Sequence, residues 1–502
     1  MRALLSVFDK TGIVELAKDL IALGFELIAS GGTSLALKNA GIEHLSVEDI
    51  TGFSEMLDGR LKTLHPKLHG GILADRSKES HMADIEALGI APIDIVVCNL
   101  YPFQSTPSIE TIDVGGPSMI RAAAKNHASV CVVVTPSDYS AVVEELRDKG
   151  SISDTTKKHL AAGAFLLLSS YDMAIASWLN ASSSDVLPDD LSINLVKFQS
   201  LRYGENPHQS GALYTDVAQP SWLSSIELLS GLELSYLNIF DADAAWRLVN
   251  ELGQHSPAVV IVKHANPCGV AIDERSIAHA YTKAFNCDPI SAFGGIVALN
   301  QIVDHQTAVE ILNNPKADVI IAPGFQAGVV DFLSSKRKNT RLIKADLPEV
   351  QSRSVRSVGS AFLIQEPDRF DVGMDSWRVV SKAKPTDNQL LDLDLAWKVC
   401  AKTSSNAIVI VKDLQAIGIG AGQQNRLDSS RIAIEKAGQN VKGSVGASDA
   451  FFPFPDGLMA LANSGVAAVI SPGGSINDQK VIAAADEVNL VMIMTGERHF
   501  KH

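Results

Sequence analysis

A lysine and a histidine stand side by side after an apolar run in the second half of the chain. The string Lys263-His264-Ala265-Asn266-Pro267-Cys268-Gly269 follows Val260-Ile261-Val262, and we expect Pro267 and Gly269 to fix a turn that presents both basic side chains. A lysine can stabilise a developing oxyanion, and a histidine can carry protons near neutral pH. A surface lysine beside a packed histidine is the alternative, but it leaves the rest of the turn unexplained. The string therefore indicates a catalytic centre.

Two further regions of the second half combine polar and aromatic side chains. Arg202-Tyr203-Gly204-Glu205-Asn206-Pro207-His208-Gln209 contains a turn and an arginine, whose planar fork suits phosphate or carboxylate. Near the end of the chain, residues 446–457 and 498–502 bring aromatic rings together with aspartate and basic residues. For Phe452 the first interpretation is packing in the core. The functional alternative is that its ring packs against a flat heterocycle of the substrate.

Three turns rich in glycine and serine each follow a predicted strand and open a predicted helix in the first half. They span residues 6–12, 30–34 and 113–118. The start of a helix presents unpaired N–H groups and a positive dipole end, and glycine lets an anion approach closely. Each turn alone is a weak signal, because glycine and serine at such turns are more often plain caps. Three such turns at one edge of one parallel sheet predict a phosphate site.

A basic segment accompanies these turns. Gly59-Arg60-Leu61-Lys62-Thr63-Leu64-His65-Pro66-Lys67 stands in an acidic chain, where a solvated loop is the plain explanation and an anionic ligand the functional one. Asn99 and Tyr101 follow a predicted strand and should point to the same edge of the sheet. Lys125 follows the third turn and adds another cation.

The elements that position these groups alternate between strands and helices. In the first 180 residues, strands are predicted at 3–8, 25–29, 93–98 and 130–134, with helices up to 23, from 34, at 139–149 and at 155–179. This alternation is typical of an open parallel sheet covered by helices. Small polar residues and Pro188 predict a linker at about 181–197.

The second half contains a faint internal repeat. Residues 260–263 resemble 409–412, and residues 321–324 resemble 470–473, both pairs being offset by 149 residues. Coincidence between common strand ends is the alternative to duplication. With duplication, the chain has three domains, at 1–185, 198–370 and 371–502.

Composition narrows the class of protein. A net charge of −14 argues against nucleic acid or acidic lipid as a partner. The sequence starts with a strand-like run instead of a secretory signal, and its most apolar run, Leu160 to Leu168, is too short to cross a bilayer, so we expect a cytoplasmic protein without a membrane partner. The five cysteines include no Cys-x-x-Cys pair. We therefore expect no zinc site and no other metal site built on cysteine pairs.

Together these strings resemble the bifunctional family that joins aminoimidazole carboxamide ribonucleotide (AICAR) transformylase to inosine monophosphate (IMP) cyclohydrolase, from Leu5 to the last residue. The resemblance implies an α/β fold, with an N-terminal methylglyoxal-synthase-like parallel-sheet domain followed by two cytidine-deaminase-like α/β subdomains. The first domain would close formylated AICAR (FAICAR) to IMP with loss of water. The other two would transfer a formyl group from the cosubstrate 10-formyltetrahydrofolate to AICAR, at sites on the subunit interface of a homodimer.

The resemblance also assigns roles to individual residues. In ring closure the catalytic group would be Lys62, Tyr101, Asp113 and Lys125. In formyl transfer His264 would move protons, Lys263 would stabilise the oxyanion, and Asn406 would complete the group. The residues expected to bind substrate in the first domain are Ser6, Lys10, Ser30, Gly31, Gly32, Thr33, Arg60, Thr63, Asn99, Gly115 and Gly116. Those expected in the second half are Arg202, Tyr203, His208, Phe451, Phe452, Asp456, Arg498 and His502.

Some features depart from the family or leave room for other readings. The connection at 104–111 is short, and Ser404 stands where relatives often carry a longer polar side chain. The family resemblance also allows a monovalent cation in the second half, at residues that the sequence does not identify. A zinc deaminase is one rival, although the cysteine pairs it needs are missing. A regulatory nucleotide-sensing first domain is the other.

Overall fold

The computed structural model describes residues 1–54, 56–57, 61–180, 187–217, 219, 221–253 and 255–502. Arg60 and residues 181–186 of the predicted linker therefore lie outside the described residues. The chain divides into two compact units, Met1–Asn194 and Leu195–His502. A strand begins at Leu195, inside the segment that we expected to be linker.

The first unit is built on a sheet of five parallel strands in the order β3-β2-β1-β4-β5. Alternate residues of β1 face opposite layers of helices: Ala3 and Leu5 pack in one core, and Leu4 packs in the other. A sheet covered on both faces explains the unbroken apolar strands. The strands are β1 Arg2–Ser6, β2 Glu26–Ala29, β3 Leu45–Ser46, β4 Ile95–Cys98 and β5 Cys131–Val133.

Helices cover both faces of this sheet. The predicted helix at 139–149 is confirmed residue for residue, and the one at 155–179 is longer by one residue at each end. The helices are α1 Ile13–Ala22, α2 Gly31–Asn39, α3 Val47–Thr51, α4 Pro66–Leu73, α5 Glu79–Ala87, α6 Gly115–Lys125, α7 Tyr139–Lys149 and α8 Asp154–Asn180. Short 3-10 helices lie at Phe103–Ser105, Ile109–Thr111 and Pro136–Asp138.

Helix α8 corrects one expectation about length. The apolar run at 160–168 belongs to a helix of 27 residues, which by length and composition alone is long enough to cross a membrane. Leu160, Ala164, Leu168 and Tyr171 are buried against the rest of the first unit, although only 28% of the most apolar window of this helix is buried. The absence of a membrane partner stays a prediction.

The second unit contains a mixed sheet of twelve strands in the order β16-β21-β20-β19-β17-β18-β10-β9-β11-β12-β13-β8. Two separate hairpins, β6–β7 and β14–β15, stand outside this sheet. The first eight strands are β6 Leu195–Leu201, β7 Gly211–Asp216, β8 Glu227–Ser230, β9 Ala258–Lys263, β10 Asn266–Ile272, β11 Ile296–Leu299, β12 Val319–Ala322 and β13 Arg341–Lys344. The others are β14 Ser354–Val358, β15 Ala361–Gln365, β16 Arg378–Val379, β17 Ile408–Lys412, β18 Gln415–Gly420, β19 Val445–Ser448, β20 Ala468–Ser471 and β21 Val491–Met494.

Helices pack on both faces of the large sheet. They are α9 Tyr236–Glu251, α10 Ile277–Phe285, α11 Pro289–Ala292, α12 His305–Asn313, α13 Val329–Lys336, α14 Asp387–Ala401, α15 Arg426–Ala437, α16 Pro455–Ser464 and α17 Asp478–Glu487. Short 3-10 helices lie at Trp222–Ser224, Met374–Ser376 and Gly438–Val441.

The order of the large sheet is symmetric about its centre. Outward from the central antiparallel pair β10 and β18, each half contains a hairpin, three parallel strands and an antiparallel edge strand. The repeated sequences at 260–263 and 409–412 lie in the equivalent strands β9 and β17, and those at 321–324 and 470–473 begin in β12 and β20. One core cluster includes residues from both halves, so the halves share a sheet and a core.

Candidate active sites

The ends of β1 and β2 meet at one edge of the first sheet. The Ser6 hydroxyl oxygen lies 2.7 Å from that of Ser30, which precedes α2. The Val7 amide donates to the Thr33 hydroxyl at 2.9 Å, and that hydroxyl donates to the Val7 carbonyl oxygen at 3.1 Å. These bonds hold the first two turns together.

Asn99 fixes the same edge from the neighbouring strand. Its side-chain oxygen accepts hydrogen bonds from the amides of Phe8 at 2.6 Å and Asp9 at 2.9 Å. The Phe8 ring packs against Tyr101, with 5.1 Å between the ring centroids. The structure therefore places Asn99 and Tyr101 beside the first turn.

Two ammonium groups stand over the glycine turn at the start of α2. A Cβ added to Gly31 would lie 2.8 Å from Lys62 Nζ, and one added to Gly32 would lie 3.4 Å from Lys10 Nζ. Gly31 also has a φ of 42°, a conformation that glycine adopts at little cost. Two cations beside a helix N-terminus form an environment that favours phosphate.

The third turn contributes a half-buried carboxylate. Asp113 accepts a hydrogen bond from the Gly116 amide at 2.9 Å, and burial raises the pKa of Asp113 while the amides of Gly115 and Gly116 oppose the rise. A Cβ on Gly115 would lie 2.5 Å from the Thr63 hydroxyl. Thr63 and Lys62 thus connect the third turn to the second.

One predicted residue, Lys125, lies apart from this cluster. Lys125 is exposed in the last turn of α6, and ten residues at 1.5 Å of rise separate it by about 15 Å from Gly115. Arg60 lies outside the described residues. The roles of both residues stay predictions.

The Lys263-His264 turn differs from the expected one in its details. His264 and Ala265, with φ of 54° and 58°, form a two-residue turn between β9 and β10. Pro267 and Gly269 lie inside β10, so the expectation that they make the turn was wrong. A left-handed conformation costs each non-glycine residue roughly 1–2 kcal/mol. The buried Asp241 carboxylate supports this turn by accepting the amides of His264 at 3.1 Å and Ala265 at 2.7 Å.

A cavity of about 270 Å³ adjoins this turn, between the two halves of the large sheet. The Lys263 ammonium donates to the Phe293 carbonyl oxygen at 2.7 Å. Another lining residue, Lys436, places its ammonium 2.9 Å from the Asp288 carboxylate. The lining residues are Lys263, His264, Asn266, Pro267, Cys268, Ser291, Ile419, Ala421, Gln423, Ile432 and Lys436.

Asn406 does not line the cavity but contacts Gln423, which does. Its backbone and side-chain nitrogens both donate to the carbonyl oxygen of Gln423, at 3.1 and 2.9 Å. Ser404 donates its backbone amide to the Asn266 side chain at 2.8 Å. Because this contact uses the backbone, it does not depend on the side chain at position 404.

Several predicted binding residues lie elsewhere in the second unit. Within the described part of the chain, the cavity lining includes none of Arg202, Tyr203 and His208, which lie on the loop between β6 and β7. Arg202 stacks on Tyr203, its guanidinium 5.3 Å from the ring centroid. Phe452 is only 2% exposed and packs in the core, in agreement with the core-packing interpretation. Phe451 is half-buried, whereas Asp456, Arg498 and His502 are exposed.

Sequence reasoning missed the residues that support the catalytic turn and the far wall of the cavity. Asp241, Asp288 and Lys436 carry no motif of their own, and tertiary contacts alone connect them to the site. Lys501 was inside a noted string without an assigned role. Among the described residues, no group of three or more His, Cys, Asp or Glu side chains is arranged to hold a metal ion.

The chain is similar to known proteins over its whole length. A family model described as "AICARFT/IMPCHase bienzyme" matches residues 123–436, and one described as "MGS-like domain" matches residues 12–128. The bifunctional purine biosynthesis proteins PurH of Bacillus cytotoxicus and Bacillus cereus are each 46% identical over 513 residues, covering 100% of this chain and 99% of theirs. A crystal structure of ForH is 36% identical, covers 36% of this chain and 98% of its own, and has a TM-score of 0.34.

Proposed function

This chain belongs to the AICARFT/IMPCHase bienzyme family, and we propose how its residues divide the two reactions of that family. It is a bifunctional enzyme of purine synthesis that formylates AICAR with a folate cosubstrate and closes FAICAR to IMP. We assign ring closure to the edge of the five-stranded sheet and formyl transfer to the cavity beside His264. The observation that carries the second assignment is the turn that presents Lys263 and His264 at this cavity.

Ring closure is a condensation within one molecule. The carboxamide nitrogen of FAICAR attacks its own formyl carbon, and the resulting hydroxyl leaves as water when the C=N bond forms. Holding the two groups in contact supplies much of the acceleration. In our proposal Lys10 and the glycine turn hold the phosphate, Lys62 stabilises the oxyanion, and Asp113 and Tyr101 move protons.

Formyl transfer joins two substrates. The amine of AICAR attacks the formyl carbon of 10-formyltetrahydrofolate, the bond from that carbon to the folate nitrogen breaks, and tetrahydrofolate leaves with a proton. His264 accepts the proton from the amine, and Lys263 stabilises the oxyanion of the tetrahedral intermediate. The hydrogen bond from Lys263 to the Phe293 carbonyl keeps this ammonium beside the turn.

A homodimer would bring the remaining binding residues to the cavity. Arg202, Tyr203 and His208 lie on a projecting hairpin and do not line the cavity within the described chain, so a partner subunit could supply them. Both hairpins also expose apolar side chains, as surfaces buried in stable dimers do. The exposed apolar residues are Leu195, Val196, Phe198, Tyr214, Val355, Val358, Phe362 and Leu363.

Further expectations rest on the resemblance to the family. We place the enzyme in the cytoplasm, where reduced folate and purine nucleotides are used. The buried cysteines, Cys98, Cys131, Cys268, Cys287 and Cys400, are unpaired among the described residues, as suits a reducing compartment. A monovalent cation in the second unit remains a proposal without assigned ligands.

Two substitutions test the division of the reactions. We expect Lys62→Ala to let FAICAR accumulate from AICAR and 10-formyltetrahydrofolate, because formyl transfer continues while ring closure slows. We expect His264→Ala to abolish formyl transfer while FAICAR supplied directly is still converted to IMP. Chromatography of the nucleotides measures both results. If the two variants lost the same single step, the assignment of two sites would be wrong.

A further inference from the structure

The catalytic turn is held from two sides by charged side chains, and one of them belongs to the last residues of the chain. Asp241 accepts the two amides of the turn, as described above. From the other side, the Lys501 ammonium donates to the carbonyl oxygens of Ala265 at 2.7 Å and Lys402 at 2.8 Å. The tail is itself anchored, because the Ser405 amide donates to the Lys501 carbonyl oxygen at 2.9 Å. The C-terminal tail thus connects the turn to the loop that contains Asn406.

Lys501 contacts the backbone of the turn without lining the cavity. It is absent from the cavity wall, which lies entirely within the described residues. Lys501 is half-buried, and burial, together with the charge of Lys402, lowers its pKa to about 8. The carboxylates of Asp241 and Asp243 oppose this shift. A partly buried cation that donates to two carbonyl oxygens fixes the position of those carbonyls, although its burial costs some solvation free energy.

The other half of the sheet contains a matching turn, in which Lys412 corresponds to Lys263 and Asp413 stands in place of His264. Asp413 and Leu414, with φ of 52° and 57°, connect β17 and β18, and the Asp392 carboxylate accepts both of their amides, at 3.0 and 2.7 Å. The Lys283 ammonium donates to the carbonyl oxygens of Asp413 at 2.6 Å and Ile272 at 3.4 Å. A carboxylate and an ammonium therefore hold both turns, which makes Lys283 a matched control for Lys501.

We infer that Lys501 is a positioning residue for formyl transfer, which sets the backbone of the His264-Ala265 turn from the C-terminal tail. The inference rests on the proposed function of the turn. Without the ammonium, the carbonyl oxygens of Ala265 and Lys402 lose a buried donor. The strained turn then relaxes, and His264 and Lys263 move relative to the substrates. Misplacement by about 1 Å can cost on the order of 100-fold in rate.

Substitution of Lys501 separates positioning from binding. We expect Lys501→Met to lower kcat for formyl transfer by about 10- to 100-fold. The KM values for AICAR and for 10-formyltetrahydrofolate should stay within about twofold of wild type, because Lys501 touches no substrate. Lys501→Arg, which can still donate to two carbonyls, should recover most of the rate. Ring closure of supplied FAICAR should remain at the wild-type rate in both variants.

The control is Lys283→Met, which removes the ammonium from the matching turn. It should lower the thermal midpoint to an extent similar to Lys501→Met and leave formyl transfer unchanged. If Lys501→Met is not recovered in folded form, Lys501→Gln keeps two N–H donors on a neutral side chain and should give an intermediate kcat.

The outcomes distinguish this inference from the proposed function. His264→Ala is assayed in parallel, and retention of formyl transfer by that variant would overturn the function assigned to the turn. A His264→Ala variant without formyl transfer, combined with wild-type kcat in Lys501→Met or Lys501→Gln, would overturn only the role of Lys501. Equal losses of kcat in Lys501→Met and Lys283→Met would also overturn it, since both would then reflect general destabilisation.

Discussion

Carboxylates serve the two sites in different ways at the scale of single residues. Asp113 lies beside the N-terminus of α6, and burial raises its pKa although two backbone amides oppose the rise. A raised pKa suits a group that exchanges protons during ring closure. Asp241 instead directs both oxygens to the backbone of the catalytic turn, so its contribution is to geometry.

The raised pKa of Asp113 predicts a pH dependence of ring closure. If ionised Asp113 accepts a proton, the rate of ring closure falls as pH decreases through this pKa, which lies above the usual range for aspartate. We expect Asp113→Asn to lower kcat for ring closure by about 100-fold, a typical contribution from a general base, and to remove that acidic limb. The pH profile of kcat with FAICAR as substrate measures both effects. An unchanged acidic limb in the variant would assign the limb to another group.

At the scale of elements, the two halves of the large sheet repeat the same close contact between a hairpin and a helix. A Cβ added to Gly269 in β10 would lie 2.1 Å from the Ala284 carbonyl oxygen, and one added to Gly418 in β18 would lie 2.0 Å from that of Ala433. Only glycine lets α10 and α15 approach their strands so closely. Both pairs are separated by the same 149 residues as the repeated sequences.

Alanine at these glycines should therefore destabilise the second unit. Because backbone atoms must move to accommodate the new methyl group, we expect Gly269→Ala to lower the free energy of unfolding by about 1–3 kcal/mol. Gly446 in β19 provides the control, since its added Cβ would lie 3.6 Å or more from neighbouring side chains. Chemical denaturation monitored by tryptophan fluorescence compares the variants. Similar stability of Gly269→Ala and Gly446→Ala would contradict the packing argument.

At the scale of the whole molecule, a single subunit does not gather all the residues expected for formyl transfer. Lys263 and His264 line a cavity, whereas Arg202 and Tyr203 lie on the projecting hairpin β6–β7. Isologous pairing of two subunits would form two equivalent composite sites. The apolar surfaces of the hairpins are consistent with such pairing.

Complementation between inactive variants tests this proposal. We expect Arg202→Ala and His264→Ala each to lack formyl transfer as homodimers. After coexpression with random pairing, half of the dimers contain one subunit of each variant, and each of these dimers has one intact site of two. The mixture should therefore recover about a quarter of the wild-type activity. Formyl transfer in the purified mixture measures the recovery. If each site lies within one subunit, the mixture stays inactive, and size-exclusion chromatography separately establishes the oligomeric state.

The sequence by itself determined the order of elements and the chemistry available at their ends. Unbroken apolar runs predicted strands buried on both faces, and β1, β4 and β5 lie where those runs predicted, within two residues at each end. The glycine turns identified the helix starts that meet at one edge of the first sheet, because parallel strands place their carboxyl ends together. Lys263 and His264 were likewise evident as adjacent residues after a strand.

Tertiary structure decided which groups act on those residues. The two-residue turn replaced the expected Pro-Gly turn, because Pro267 and Gly269 are needed within β10, where Gly269 packs against α10. Asp241 and Lys501 reach that turn from positions 23 and 236 residues away along the chain. Contacts at such separation depend on how the sheet orders its strands, and local patterns of residue type carry no information about that order.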